Sequence, residues 1–248
     1  MKRVISLVLV ALLSAAALSA QTEKRKLEFG EEADLSVRKG AFSFEPLSYL
    51  AFGDHLFMMA EGDMNEYHGT NNTEFFMNIV ELRVHPYSSG MFSLGLDFDW
   101  DYYRLDGDHL WVPDSSKEKV SIVPMAESGI KKIKKSRLSV RTLSVPLAFE
   151  QSFGQLTLRV GVEGNYNFPA VSRFKGENQS GGKVKEWKNG ERFADTIKTN
   201  SFTYGFFGSF SYGGLGAYIK YSPMCQFAEG FGPQFRTISV GVVTGLGM

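Results

Sequence analysis

Four histidines, His55, His68, His85 and His109, and a single cysteine, Cys225, are the side chains of this 248-residue sequence best suited to metal or nucleophile chemistry. One cysteine can form neither an internal disulfide nor a thiolate zinc cluster. The histidines are scattered, so no metal ligand set and no redox cofactor is assigned. Asp106-Gly-Asp108 resembles the start of a calcium-binding loop, but the remaining ligands of such a loop do not follow. A hydrolase would need a nucleophile beside a base. His68 and His109, with Ser115, Ser116 and Ser128, fall in long polar connections, and no spacing links them into a triad. The sequence therefore names no catalytic, cofactor-binding or metal-binding residue.

The charges balance at 27 basic against 27 acidic side chains. That excludes a nucleic-acid binder whose affinity rests on a large positive surface. One local excess stands out, Lys131-Lys-Ile-Lys-Lys-Ser-Arg137. Such a run is a solvated surface in one reading. In the other, its lysines sit at a membrane rim and bind lipid phosphates, with lipopolysaccharide the expected partner.

Met1-Lys2-Arg3, an apolar run to Ala17 and small residues to Ala20 give the three-part pattern of a cleaved signal peptide over 1–20. Residues 21–41 then form a polar N-terminal segment, and 42–248 the structural domain. No later stretch is apolar for the 18 or more residues that a spanning helix needs (about 20 in a typical bilayer), so any membrane role belongs to strands. The strand signal is strict alternation. From 156 to 168, Leu156, Leu158, Val160, Val162, Tyr166 and Phe168 share one face, while Thr157, Arg159, Glu163, Asn165 and Asn167 share the other. Residues 92–104 and 201–212 repeat the pattern. Weaker copies lie at 75–85, 137–151, 215–222 and 236–248, with a first strand around 42–52.

These are eight strands, joined alternately by tight turns (87–90, 152–155, 213–214) and long polar connections (53–73, 105–136, 169–200, with 223–235 intermediate). That register predicts an all-β fold, an eight-stranded antiparallel transmembrane β-barrel with short periplasmic turns and long extracellular loops. Trp100, Tyr102, Tyr166, Phe168 and Tyr221 form one expected aromatic girdle, and Phe92, Phe149, Phe210 and Tyr212 the other. A secreted lipocalin-like barrel is the competing fold, and it would turn the apolar face inward.

In the transmembrane reading the lumen collects Glu81, Asp97, Asp99, Asp101, Glu150 and Glu163 against Arg83, Arg137, Arg141, Arg159 and Lys220. This nearly neutral set is expected to pair internally and close the lumen. Leu138 and Val140 are even-numbered, whereas Leu143, Val145, Leu147 and Phe149 are odd. If all face outward, a bulge lies near Arg141 and Thr142 and accommodates Pro146. Asp97, Asp99 and Asp101 should then meet Arg137 and Arg141 in an ion ladder.

Three segments resemble the small outer-membrane β-barrel family of Bacteroidota, the PorT-like family. They are Gly95-Leu-Asp-Phe-Asp-Trp-Asp-Tyr-Tyr-Arg104, Leu143-Ser-Val-Pro-Leu-Ala-Phe-Glu150, and Gly216-Ala-Tyr-Ile-Lys-Tyr-Ser-Pro223 continuing to Gly232-Pro233. The resemblance implies an eight-stranded barrel in the outer membrane of a Gram-negative cell and implies no reaction. The expected role is structural or surface interaction by a monomer, with no cofactor. A lipid-modifying enzyme and an accessory part of a protein secretion complex are the alternatives.

Overall fold

The computed structural model describes residues 42–58, 72–105, 109–114, 119–185 and 197–245. The expected signal segment 1–20, the segment 21–41, His68, Asp106-Gly-Asp108, Ser115 and Ser116 lie outside the described residues. The strands are β1 (Phe42–Pro46), β2 (Leu50–Met58), β3 (Thr73–Tyr87), β4 (Gly90–Tyr103), β5 (His109–Asp114), β6 (Lys119–Pro124), β7 (Ile130–Phe153), β8 (Leu156–Asn167), β9 (Val171–Asn178), β10 (Lys183–Lys185), β11 (Phe202–Tyr212), β12 (Leu215–Ser222) and β13 (Arg236–Thr244). Eight of them, β2, β3, β4, β7, β8, β11, β12 and β13, pair antiparallel in that order. β13 then pairs with β2, from Arg236 opposite Met58 to Thr244 opposite Leu50, and closes the ring. The expected eight-stranded antiparallel barrel is the observed fold.

Tight turns join strands at one end, here the lower rim. Gly213 and Gly214 take φ of 58° and 84°, the left-handed pair that a two-residue hairpin turn requires. The long connections leave from the upper rim, and their described parts include further paired strands. β5 and β6 form a hairpin of their own. β9 and β10 extend the sheet beside the upper part of β7, which at 24 residues overshoots the barrel wall. The basic run 131–137 therefore lies in a paired strand, not in a loop.

The inside of the wall is polar and the outside apolar. Leu56, Leu82, Phe92, Leu94, Val145, Leu147, Leu158, Val160, Val162, Phe206, Phe210, Ile219, Val240 and Val242 are exposed, while the alternate positions are buried. The lipocalin-like alternative, with its apolar face inward, is thereby excluded. Along β8 the outward row spans ten residue steps from Leu156 to Tyr166, and at ~3.3 Å per residue and a tilt of ~40° this band is roughly 25 Å tall. Aromatic pairs border it. Phe92 and Phe149 lie 5.1 Å apart near the lower rim, and Phe98–Trp100 and Tyr166–Phe168, at 4.3 and 5.2 Å, near the upper.

Two details differ from the sequence expectation. The first strand runs past residue 52 to Met58, and it is broken between β1 and β2. Pro46 brings no N–H to the ladder, Leu47 takes φ 52°, and the Ser48 amide donates to the Asn78 side chain at 3.2 Å. The kink faces the irregularity in β3 between Asn78 and Val80. The second difference concerns β7, where no bulge lies near Arg141 and Thr142. Leu138, Val140, Thr142, Ser144, Ala148 and Glu150 are all buried on one uninterrupted face. Pro146 is accommodated instead by Gly95, opposite it on β4, where an added Cβ would lie 2.9 Å from the proline ring. The β4–β7 ladder skips that pair and the adjoining Leu96–Val145 pair without changing register.

Leu138 and Val140 face inward because the upper mouth is apolar. Together with Tyr103, Leu105, Trp111, Val120, Ala170, Ile197, Phe227 and Phe235 they form a buried cluster that joins the β5–β6 hairpin and the last connection to the barrel top. The Trp111 indole N–H donates to the Tyr103 carbonyl at 3.1 Å, so the buried ring keeps its polar atom satisfied.

Candidate functional site

The lumen is the largest concentration of buried ionisable groups among the described residues. Glu74, Glu81, Asp97, Asp99, Asp101, Glu150 and Glu163 are buried with Arg83, Arg159, Lys220 and His55. The expected near neutrality does not hold. Because β7 keeps one phase, Arg141 is exposed opposite Trp100, while Thr142 faces Asp99 and Val140 faces Asp101. Arg137 stacks its guanidinium 4.6 Å from the Tyr102 ring. The expected ion ladder between these arginines and Asp97, Asp99 and Asp101 is therefore absent. The strands meet at the anticipated height, but a one-residue difference in phase moves every side chain to the other face.

The lumen divides into two levels. Lower down, Arg159 reaches Glu81 at 2.6 Å and Glu150 at 3.7 Å, and Arg83 reaches Glu81 at 2.9 Å. Arg159 also lies 4.7 Å from the Tyr49 ring centroid. Two guanidiniums thus face two carboxylates. Higher up, Lys220 alone meets Glu74 at 3.0 Å, Asp99 at 3.0 Å and Glu163 at 3.3 Å. Tyr218 donates to Glu74 at 2.7 Å, Ser144 to Asp99 at 3.0 Å, and Tyr49 and Asn78 to Asp97 at 2.6 and 2.8 Å. His55 sits between Ser239, 2.8 Å from Nδ1, and Asp101, 2.9 Å from Nε2. The carboxylate excess of the lumen lies in this upper level.

A second feature lies outside the wall, just above the apolar band. Arg137 on β7 and Arg173 on β9 are register partners, and Arg141 is exposed on the same face of β7 two pleat repeats below. Like charges directly opposite one another destabilise a sheet. The Nε atoms of Arg104 and Arg137 are buried without a hydrogen-bond partner among the described residues. Further up, Lys134 pairs with Glu177 and holds that carboxyl below its ordinary pKa, so this part of the basic run is partly neutralised.

Of the residues considered for hydrolysis, His109 and Ser128 are among the described residues, and the Ser128 hydroxyl is engaged by the backbone. Ser128 donates to the Met125 carbonyl at 2.7 Å and closes a short 3-10 turn. His109 opens β5, and His85 lines the lower mouth beside Arg83, Ser88 and Glu150. Cys225 is free and half-buried. Sequence reasoning misses His55, which falls in the long connection 53–73, and Glu74, which falls one residue before the strand expected at 75–85. Their odd and even phases do match the lumen rows of β2 and β3, but Asp54 breaks the outward apolar row beside His55.

No family model and no curated protein matches the sequence. Among solved structures, two of Ail, the attachment invasion locus protein of Yersinia pestis, are similar over 84% of this chain and 99% of theirs. One of these is a complex with the heparin analogue sucrose octasulfate. Identity is 8% in both, with TM-scores of 0.33 and 0.37. The barrel assignment rests on the closed strand pairing itself.

Proposed function

We propose that this chain is an outer-membrane β-barrel, exported through the 1–20 signal, with a structural or surface-interaction role and no catalysis. The observation that carries the reading is the reversed polarity of the wall. A band roughly 25 Å tall of exposed Leu, Val, Ile and Phe side chains surrounds an interior rich in polar and ionisable groups, and this suits a hydrocarbon environment. A closed barrel also leaves no strand edge in lipid. The PorT-like resemblance points to the same location. The interior supports a closed, monomeric role, because eight strands leave room only for filling side chains. The upper rim, built from β5, β6, β9 and β10, is the surface offered to the exterior.

The lipid partner follows from the basic face. Arg137, Arg141 and Arg173 stand where headgroup phosphates of the outer leaflet would lie, and a phosphate between Arg137 and Arg173 would relieve their opposition. Lipopolysaccharide supplies such phosphates. The test is fractionation with heat-modified gel migration. The protein should follow outer membranes and migrate differently when unboiled, and recovery as a soluble periplasmic protein would overturn the reading. Replacing Arg137 and Arg173 together by alanine should reduce co-purified lipopolysaccharide and leave the gel shift intact.

A further inference from the structure

His55, Glu74 and Asp101 come from three consecutive neighbouring strands, β2, β3 and β4, and each offers a ligand atom within 4.8 Å of the others. All three are buried. Glu74 and Asp101 are direct register partners, and two carboxylates opposed across neighbouring strands repel unless a cation lies between them. Lys220 touches Glu74 but not Asp101, and it must also serve Asp99 and Glu163. Four carboxylates (Glu74, Asp99, Asp101 and Glu163) line one small polar cavity with a single lysine and His55, so acidic side chains outnumber basic ones there.

The same cavity, of about 20 Å³, has room for one water-sized guest. Two acceptors that line it point to a guest of positive charge. Asp99 Oδ1 and Asn165 Oδ1 are buried and have no hydrogen-bond partner among the described residues, with the residues 3% and 8% exposed. His55 is prepared as a ligand. Ser239 holds Nδ1, which leaves Nε2 directed at Asp101, and a hydrogen bond on the second ring nitrogen is the usual support of a metal-bound imidazole.

We propose that the upper lumen binds a divalent first-row transition-metal ion through His55, Glu74 and Asp101, with the free oxygens of Asp99 and Asn165 as the further acceptors that face it. An imidazole with carboxylates selects this class over calcium or magnesium, which favour all-oxygen sets. Closing the ligands to ~2.0–2.2 Å from the ion needs side-chain adjustments of roughly 1 Å. The bound ion ties β2, β3 and β4 together at the level where the lumen is most negative.

The experiment uses the full barrel, purified in detergent and stripped with chelator, with Zn²⁺ and Co²⁺ as probes. Calorimetric titration should give one Zn²⁺ per chain and a higher unfolding temperature. Co²⁺ should give the visible absorption of a low-coordinate site, removed by Zn²⁺. His68→Ala, His85→Ala and His109→Ala combined leave His55 as the sole histidine and should retain binding, whereas His55→Ala or Asp101→Asn should lower affinity at least tenfold. Absence of Zn²⁺ binding by the wild type, loss of binding in the triple variant, or full binding by His55→Ala overturns the proposal. Should His55→Ala fail to fold, the Co²⁺ spectrum of the triple variant decides, since octahedral, water-like absorption there also overturns it.

Discussion

Arg159→Met tests whether the lower lumen is held by its ion network. The side chain is 2% exposed, between Glu81 at 0% and Glu150 at 6%. Losing one partner of a buried pair costs about 3 to 5 kcal/mol. Glu81 keeps Arg83 at 2.9 Å, so the stranded charge is chiefly that of Glu150. At an effective dielectric of about 20, unit charges at the Arg159–Glu150 separation of 3.7 Å attract by about 4.5 kcal/mol before desolvation is subtracted. The expected net loss is about 3 kcal/mol. Adding Glu150→Gln should return about 1 kcal/mol by removing the stranded carboxylate. Equilibrium urea unfolding of the barrel in micelles, followed by tryptophan fluorescence and by gel migration, measures both. A single-variant loss below about 1 kcal/mol, or a double variant equal to the sum of the two singles, would refute the network.

The remaining perturbations probe the wall, the rim and the lumen's closure. Val160→Arg, at an exposed mid-band position of β8, should cost about 2 to 4 kcal/mol of barrel stability in lipid; a neutral result in a bilayer unfolding assay would mean that this face is not lipid-facing. Arg141→Leu, on the outward face, should leave the unfolding midpoint within about 0.5 kcal/mol, whereas a large loss would return Arg141 to the lumen. Trp111→Ala removes the largest side chain of the rim cluster and should make the β5–β6 hairpin protease-sensitive while the gel shift persists; an equal fall in barrel stability would show that rim and wall unfold as one unit. Reconstituted protein should give no steady conductance in planar bilayers, because side chains fill an eight-stranded lumen, and regular channel steps would contradict the closed interior.

The wall was legible where one rule, apolar outward and polar inward, governs every residue. β4 and β8 follow it closely, β11 follows it except at Phe207, which turns its ring into the lumen, and the bounds of all three lie within two residues of the alternation. The rule fails where a strand leaves the apolar band. Leu138 and Val140 are apolar, yet they face inward, because above the polar lumen the neighbours are Trp111, Phe227 and Phe235 rather than water. Alternation alone cannot distinguish that arrangement from a bulge, and the assumed bulge carried Arg137 and Arg141 into the lumen. β2 was obscured in the opposite way, by the charged Asp54 in the outward row, opposite Val240 and Thr73. With the alternation ending at residue 52, the sequence pattern places His55 in a loop.

The interior is therefore layered, and the layers depend on one another. The lower level pairs Arg83 and Arg159 with Glu81 and Glu150, so it needs no outside charge. The upper level sets Glu74, Asp99 and Glu163 around Lys220 and Asp101 against His55, beneath the apolar cluster of Tyr103, Trp111, Phe227 and Phe235. Tyr103 belongs to both, since its ring stacks 5.0 Å from His55 while its opposite side joins Phe235 at 5.3 Å. An apolar lid over a charged cluster limits the water that could screen it, and uncompensated charge costs more as the local dielectric falls. Electrostatics alone would place an acidic cluster at the open mouth, where water is plentiful. This chain buries it behind aromatic rings instead, an arrangement that favours a positive guest held inside over one exchanging freely with solvent.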